Sequence, residues 1–267
     1  MIVASRTFLK LTTHHVQNPI SEDRRVPTTY PSKAGESIYI HPTALTNFIN
    51  NYLPNVQFPF VLYSGDSDTT VPDNVREQAN IILNNPLLLR WYSQNCTEPS
   101  DKLKQLPIGL DFHTLETRNV FWGPKQTLQQ QLDDICEIKS ISVQKKSKCY
   151  SNFHFLINSH DRYDVITQVP KNLVFYEPQK LNRIVSWRNM INYKYVLSPH
   201  GNGLDCHRTW EALVLGCIPI MKTSALDPMF DGLPVLIVKN WSDITQELLD
   251  TFNPQTNLEK LNTIYWI

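Results

Sequence analysis

Between Pro199 and Glu211 the chain reads PHGNGLDCHRTWE, a stretch dense in groups that can hold an anion. Gly201 and Gly203 flank Asn202, and three of the eight glycines of this glycine-poor chain fall at Gly201, Gly203 and Gly216. Glycine allows positive φ or close approach of the backbone to another group, so this concentration asks for a backbone explanation. The strand-like YKYVLS precedes the turn. The sequence then predicts a helix over roughly Cys206 to Leu215, capped by Asp205 and stopped at Gly216. A helix N-terminus beside a glycine turn suits a phosphate, and the expected ligand is the pyrophosphate of a nucleotide.

Arg208 and Glu211 are three apart on this helix and share one face, while Trp210 and Leu213 can face a sheet. Arg208 is suited to phosphate. Glu211, an acceptor-only carboxylate when ionised, is suited to two ribose hydroxyls. The plainer alternative is a surface Arg–Glu pair worth under ~1 kcal/mol. His200 either donates to the diphosphate or bonds a nearby carbonyl. Arg162, in SHDRYDV, falls at the N-terminal turn of another helix, where it serves phosphate charge or simply faces solvent, and His160 beside it has the same two readings.

A second group lies earlier, where Gly65-Asp66-Ser67-Asp68 follows the strand-like FPFVLYS. Carboxylates just beyond the carboxyl end of a strand are placed for ligand chemistry in α/β proteins, and either one can take a proton from a hydroxyl. Asp66 and Asp68 are the candidate bases, with Asp111 and His113 behind them on an acceptor side. D-x-D is also a pattern that holds a hard divalent ion. A structural reading, with Asp68 and Asp73 capping a turn and a helix, stands beside both.

These residues need elements to position them. After residue 149 CYSNFHFLIN, NLVFYEP, YKYVLSP, CIPIM and PVLIVK read as strands, and DRYDVITQV and QKLNRIVSWRNMIN as helices, with a further helix beginning at Ser242. In the first half SIYIHP, FPFVLYS, LLLRWYS and QLPIGLDF read as strands, and PTALTNFINNYL and DNVREQANIILNN as helices. The alternation predicts an α/β protein with parallel, doubly wound sheets. The polar QTLQQQLDDICEIKSISVQKKSK places a boundary near residues 143–149, dividing the chain into 1–145 and 146–267, with the last helix free to pack back on the first unit. Lys145, Lys146 and Lys148 read as a solvated linker with no interleaved aromatics, which argues against single-stranded nucleic acid.

Composition narrows the field further. Lys plus Arg and Asp plus Glu both number 25, so no net charge draws the chain to nucleic acid or an anionic membrane. No apolar run approaches the ~20 residues of a membrane span, and the N-terminus does not read as a signal peptide, which gives a cytoplasmic expectation. The five cysteines are widely spaced with no C-x-x-C, and the histidines form no H-E-x-x-H, so no metal site is expected.

SPHGNGLDCHRTWEALVLGCIPI resembles the signature of the exostosin-like glycosyltransferases, in which a polar glycine turn, an R-x-W-E-A-L helix and a G-C-I-P-I strand form the nucleotide-sugar site. The likeness is dense from Tyr193 to about Trp241 and weaker at FPFVLYSGDSD, QLPIGLDFH and CYSNFHF. It implies a GT-B fold, two Rossmann-like domains facing across a cleft, with 1–145 binding the acceptor and 146–267 the nucleotide sugar. It also implies inverting transfer from a UDP-sugar without an obligatory metal, with Glu211 on the ribose and His200, Gly201, Asn202, Gly203 and Arg208 on the diphosphate. Within the family the chain is most similar to short enzymes of large algal viruses that build capsid glycans. That likeness suggests UDP-xylose as donor, a capsid-protein oligosaccharide as acceptor and host cytoplasm as the location. The readings left beside it are a metal-dependent transferase using Asp66 and Asp68, and a non-catalytic domain that binds nucleotide sugar or glycan.

Overall fold

A computed structural model describes residues 1–153 and 160–267. The chain is α/β, with two wholly parallel sheets. After a short helix α1 (Thr7–Leu11), the first sheet is β1 (Glu36–Ile40), β2 (Phe60–Ser64), β3 (Leu88–Ser93) and β4 (Leu103–Gln105), in that spatial order. Its crossovers are α2 (Leu45–Asn47), continued by a π turn at Phe48–Tyr52, and α3 (Arg76–Leu83). The helix predicted over PTALTNFINNYL is thus a composite of 3-10, α and π turns that buries Leu45, Phe48 and Tyr52. Phe48 and Phe60 are fully buried, each worth about 1.5–3 kcal/mol of transfer free energy.

Two helices follow the first sheet, α4 (His113–Thr117) and α5 (Leu128–Ser140). The Thr127 hydroxyl and the Gln130 side chain close a capping box that starts α5. The second sheet takes β5 (Lys146–Ser151), β6 (Val174–Tyr176), β7 (Tyr193–Leu197), β8 (Ile218–Lys222) and β9 (Leu236–Val238) in the order β6-β5-β7-β8-β9. Around it stand α6 (His160–Gln168), α7 (Arg183–Met190), α8 (His207–Val214), the single turn α9 (Asp227–Phe230) and α10 (Gln246–Thr251). Buried runs in β7 and β8, YVL and IPIM, fit strands covered on both faces.

Several expectations shift. QLPIGLDF is not a strand beyond Gln105, because Pro107 has no N–H to donate and Gly109, at φ +65°, turns the chain against the N-terminal segment. The Leu110 N–H instead bonds the Val3 carbonyl at 3.0 Å, and the Ser5 N–H bonds Leu110. The basic run is not a linker: Lys146 and Lys148 begin β5, and the Lys146 ammonium lies 5.3 Å from the Tyr193 ring centroid. The part of the predicted strand at 154–158 lies outside the described residues. Ser242 does not cap a helix. Trp241–Asp243 form a 3-10 turn, and Thr245 caps α10 through the Leu248 N–H.

One core lies in the first sheet around Ile38, Leu62 and Trp91, and another in the second around Tyr195, Ile220 and Trp241. A third is shared: Val3, Phe8, Leu110 and Ile135 pack with Trp187, Met190, Trp210 and Leu213. The C-terminal turns join this layer, with the Val3 N–H bonding the Leu261 carbonyl and the Thr263 N–H bonding Met1. Among the described residues no helix is long and apolar enough to cross a membrane.

Candidate functional site

Strand order reverses between β5 and β7, and the crevice beyond the carboxyl ends of two such strands is where open α/β sheets bind ligands. A cavity of about 460 Å³ occupies this place. Its walls come from Asn152 and Phe153 after β5, Glu177 to Leu181 after β6, Arg183 and Trp187 on α7, and His207, Arg208 and Glu211 on α8, with Asp111, Phe121 and Trp122 from the loops after the first sheet.

Helix α8 explains its own contribution. Thr209, Trp210 and Leu213 are buried beneath it, which leaves His207, Arg208 and Glu211 on the cavity side. The Arg208 guanidinium donates to Asn152 Oδ1 at 3.2 Å and to the Pro199 carbonyl at 3.4 Å, and lies 5.6 Å from the Phe153 ring centroid. Burial pulls its pKa below the ordinary arginine value. The Glu211 carboxylate has no hydrogen bond or ion pair with any described residue. Arg208 and Arg183 both lie within electrostatic reach of it. An ionisable acceptor with no partner among the described residues, on the wall of a cavity, is available to donors on a ligand.

Two further cavity residues carry chemistry. Arg183 is 8 % exposed and is held between two indoles, 4.8 Å from the Trp122 centroid and 4.9 Å from that of Trp187. It donates to the Asp111 carbonyl at 2.7 Å and to Gln131 Oε1, and no carboxylate lies within ion-pair distance among the described residues. Trp187 Nε1 is buried without a hydrogen-bond acceptor among the described residues. His207 Nδ1 is 2.7 Å from the Gly109 carbonyl oxygen, which can only accept, so this nitrogen carries the proton and Nε2 remains for a ligand.

The acceptor-side candidates form a connected group. Asp111 lines the cavity, and its Oδ1 accepts from the Thr114 N–H at 3.1 Å and lies 3.1 Å from His113 Nδ1. Burial opposes its ionisation, yet His207, His113 and the Thr114 N–H outweigh burial and hold its pKa below the usual value. His113 Nδ1 also meets the Ser5 hydroxyl at 2.7 Å, and Nε2 lies 3.7 Å from Asp66. Burial lowers the His113 pKa despite both carboxylates.

Asp66 and Asp68 stand outside the cavity walls. Asp66, at φ +56°, gives its N–H to Gln94 Oε1 at 2.7 Å and its carboxylate to Arg6, 2.9 Å from Nε and 2.7 Å from Nη2. Asp68 is exposed, with its N–H on Glu22 Oε1 at 3.3 Å. Among the described residues no group of three or more His, Cys, Asp or Glu side chains could hold a metal ion.

The glycine turn and its flanks also lie beside the cavity rather than on its wall. A Cβ on Gly201 would stand 3.2 Å from Arg162 Nη2, and one on Gly203 would stand 3.0 Å from Asn95 Nδ2 and 3.1 Å from Asp68 Oδ1. Protein groups thus approach both glycines closely, whereas Gly216 serves φ +70° at the end of α8. Asn202 is exposed. The His200 N–H donates to Asp161 Oδ2 at 2.8 Å, and its carbonyl accepts from Arg162 Nε at 3.2 Å. Arg162 is 5 % exposed, so it is not a surface arginine, and burial first, then Arg208, depresses its pKa. His160 opens α6 and is exposed.

Asp205 does not cap α8, whose N-cap is Cys206. Its buried carboxylate accepts from the Ile108 N–H at 2.7 Å and Trp210 Nε1 at 2.8 Å, while its own N–H donates to Asn95 Oδ1 at 2.9 Å. The residue ties α8 to two loops of the first unit, and burial pushes its pKa up to about 6.

Sequence reasoning passed over His207, Arg183 and Trp122. His207 had a signal, since it adjoins Arg208 and is four residues, about one turn, before Glu211. Arg183 and Trp187 are likewise four apart on one helix, whereas nothing local marks Trp122. Compared with known proteins, the chain matches no protein-family model and none of the curated sequences.

Proposed function

We propose that the protein is an inverting glycosyltransferase of GT-B type that moves a sugar from a UDP-sugar, with UDP-xylose as first candidate, to a hydroxyl of a glycan. The observation that carries this reading is the uncommitted Glu211 carboxylate on the wall of the switch-point cavity, one turn from Arg208 and within reach of Arg183. Glu211 would accept from the two ribose hydroxyls. Arg208, nearer the start of α8, would face the diphosphate, with Arg162 and the 200–203 turn behind it. Phe121 and Trp122 offer apolar walls for the base of the nucleotide.

The reaction is a single displacement. The acceptor oxygen attacks C1 of the sugar, the bond from C1 to the phosphate oxygen breaks with its electron pair leaving on UDP, and the acceptor proton passes to a base. The departing diphosphate gains charge as this happens, and fixed guanidinium groups stabilise that charge without an obligatory metal. The acceptor would enter from the side of the first unit, past Asp111 and His113.

Calorimetry with UDP tests the reading. Replacing Glu211 by Ala should weaken binding by about 1–3 kcal/mol, the cost of losing a charged acceptor. Unchanged affinity in a folded variant removes Glu211 from the donor site.

A further inference from the structure

Resting on that donor site, we infer that His207 is the base that takes the proton from the attacking hydroxyl, with its tautomer set by the first unit. Asp66 and Asp68 lie off the cavity wall, and Asp66 is held by Arg6. His207 is on the wall, on the same helix face as Arg208 and Glu211. Across from it is Asp111, on the proposed acceptor side, so the ring stands between the two proposed substrate sites.

The ring is prepared for this role by its neighbours. The Gly109 carbonyl takes the Nδ1 proton at 2.7 Å, which leaves the lone pair of a neutral imidazole on Nε2. Gly109 itself is fixed: at φ +65° its missing Cβ would lie 2.5 Å from the Val3 carbonyl group. The same loop is clamped to the start of α8 by the Ile108 N–H on Asp205.

In the step, the bond from the acceptor oxygen to C1 forms as the bond from C1 to phosphate breaks. The hydroxyl proton moves to Nε2, producing an imidazolium and UDP. The imidazolium faces Asp111 and Asp205, which stabilise it, with His113 and Arg208 as the opposing groups. Loss of the proton to water resets the site.

The test uses His207→Asn, whose side-chain amide can retain the bond to Gly109 while lacking Nε2, and His207→Gln as a second variant should the first not fold. UDP affinity is measured by calorimetry, and turnover by scanning UDP-sugars for transfer and hydrolysis across pH. The expected result is UDP affinity within about twofold of the wild type, turnover lower by about 10²–10⁴, and loss of the rise in rate that accompanies imidazole deprotonation. Near-normal turnover, or a retained rise, overturns the assignment. So does a loss of UDP affinity that matches the loss of rate, which would make His207 a binding residue. Nitrogen NMR of the wild-type histidines gives a check that needs no substrate, because a neutral His207 protonated on Nε2 contradicts the geometry. Wild-type protein that fails to bind UDP refutes the donor site itself, before any substitution is made.

Discussion

The carboxylate of Asp205 makes a measurable claim about stability. It is 3 % exposed, and burial raises its pKa from 3.8 to about 6, against the pull of the Ile108 and Trp210 N–H groups. Above pH 6 both folded and unfolded chains carry this group ionised, and below pH 3.8 both carry it protonated. Between those values the folded protein holds a proton that the unfolded chain has released. Stability from this group is therefore present below pH 3.8 and declines as pH rises to 6, by about 3 kcal/mol in all. Asp205→Asn removes the titration. It also misplaces one donor against an N–H, a cost of about 1–3 kcal/mol that does not change with pH. The decisive quantity is the difference in unfolding free energy between variant and wild type, measured by urea titration from pH 4 to pH 7.5. That difference should move in favour of Asn by about 2.5 kcal/mol across the range, the rest of the effect lying below pH 4. A difference that stays flat would show that the buried carboxylate pays no desolvation penalty in the fold, and the reasoning would fail.

Two other outcomes follow from the same geometry. Gly109→Ala should destabilise the protein by roughly 1–3 kcal/mol or prevent folding, because a Cβ there meets the Val3 backbone at 2.5 Å and the residue has φ +65°; thermal melting indistinguishable from wild type would contradict this packing. Transfer should survive excess chelator, since the charges proposed to face the diphosphate are guanidinium groups; loss of activity with EDTA and its return with manganese would favour a metal-dependent mechanism.

How far the sequence could be read depended on the distance between cause and effect along the chain. The α8 face was legible because Arg208, Trp210, Glu211 and Leu213 follow a 3.6-residue period, and that period alone separates cavity from core. The strands from β5 to β9 were found for the same local reason, with shifted ends. QLPIGLDF failed beyond Gln105 because Pro107 cannot donate to a ladder and Gly109 turns the chain into a cluster with Val3, about a hundred residues before it, and Trp187, about eighty after. At the glycine turn the structure adds neighbours that no local pattern near residue 203 discloses, Asn95 and Asp68 beside Gly203. Asp205 had the composition of a helix cap, yet Ile108 and Trp210 claim its carboxylate.

The core shared by the two sheets bears on how such a protein can change over generations. Where two domains each close their own core, recombination can exchange one for another and leave both intact. Here Ile135 and Ile138 of α5, and the N-terminal Val3 and Phe8, share a single apolar layer with Trp187, Trp210 and Leu213. A crossover at residues 143–145 would divide that layer and pair each half with a surface it was not shaped to fit. A change in what the cavity admits is then more readily reached by substitutions in the loops around Asp111, Phe121 and Trp122, which line it, than by exchange of a whole half.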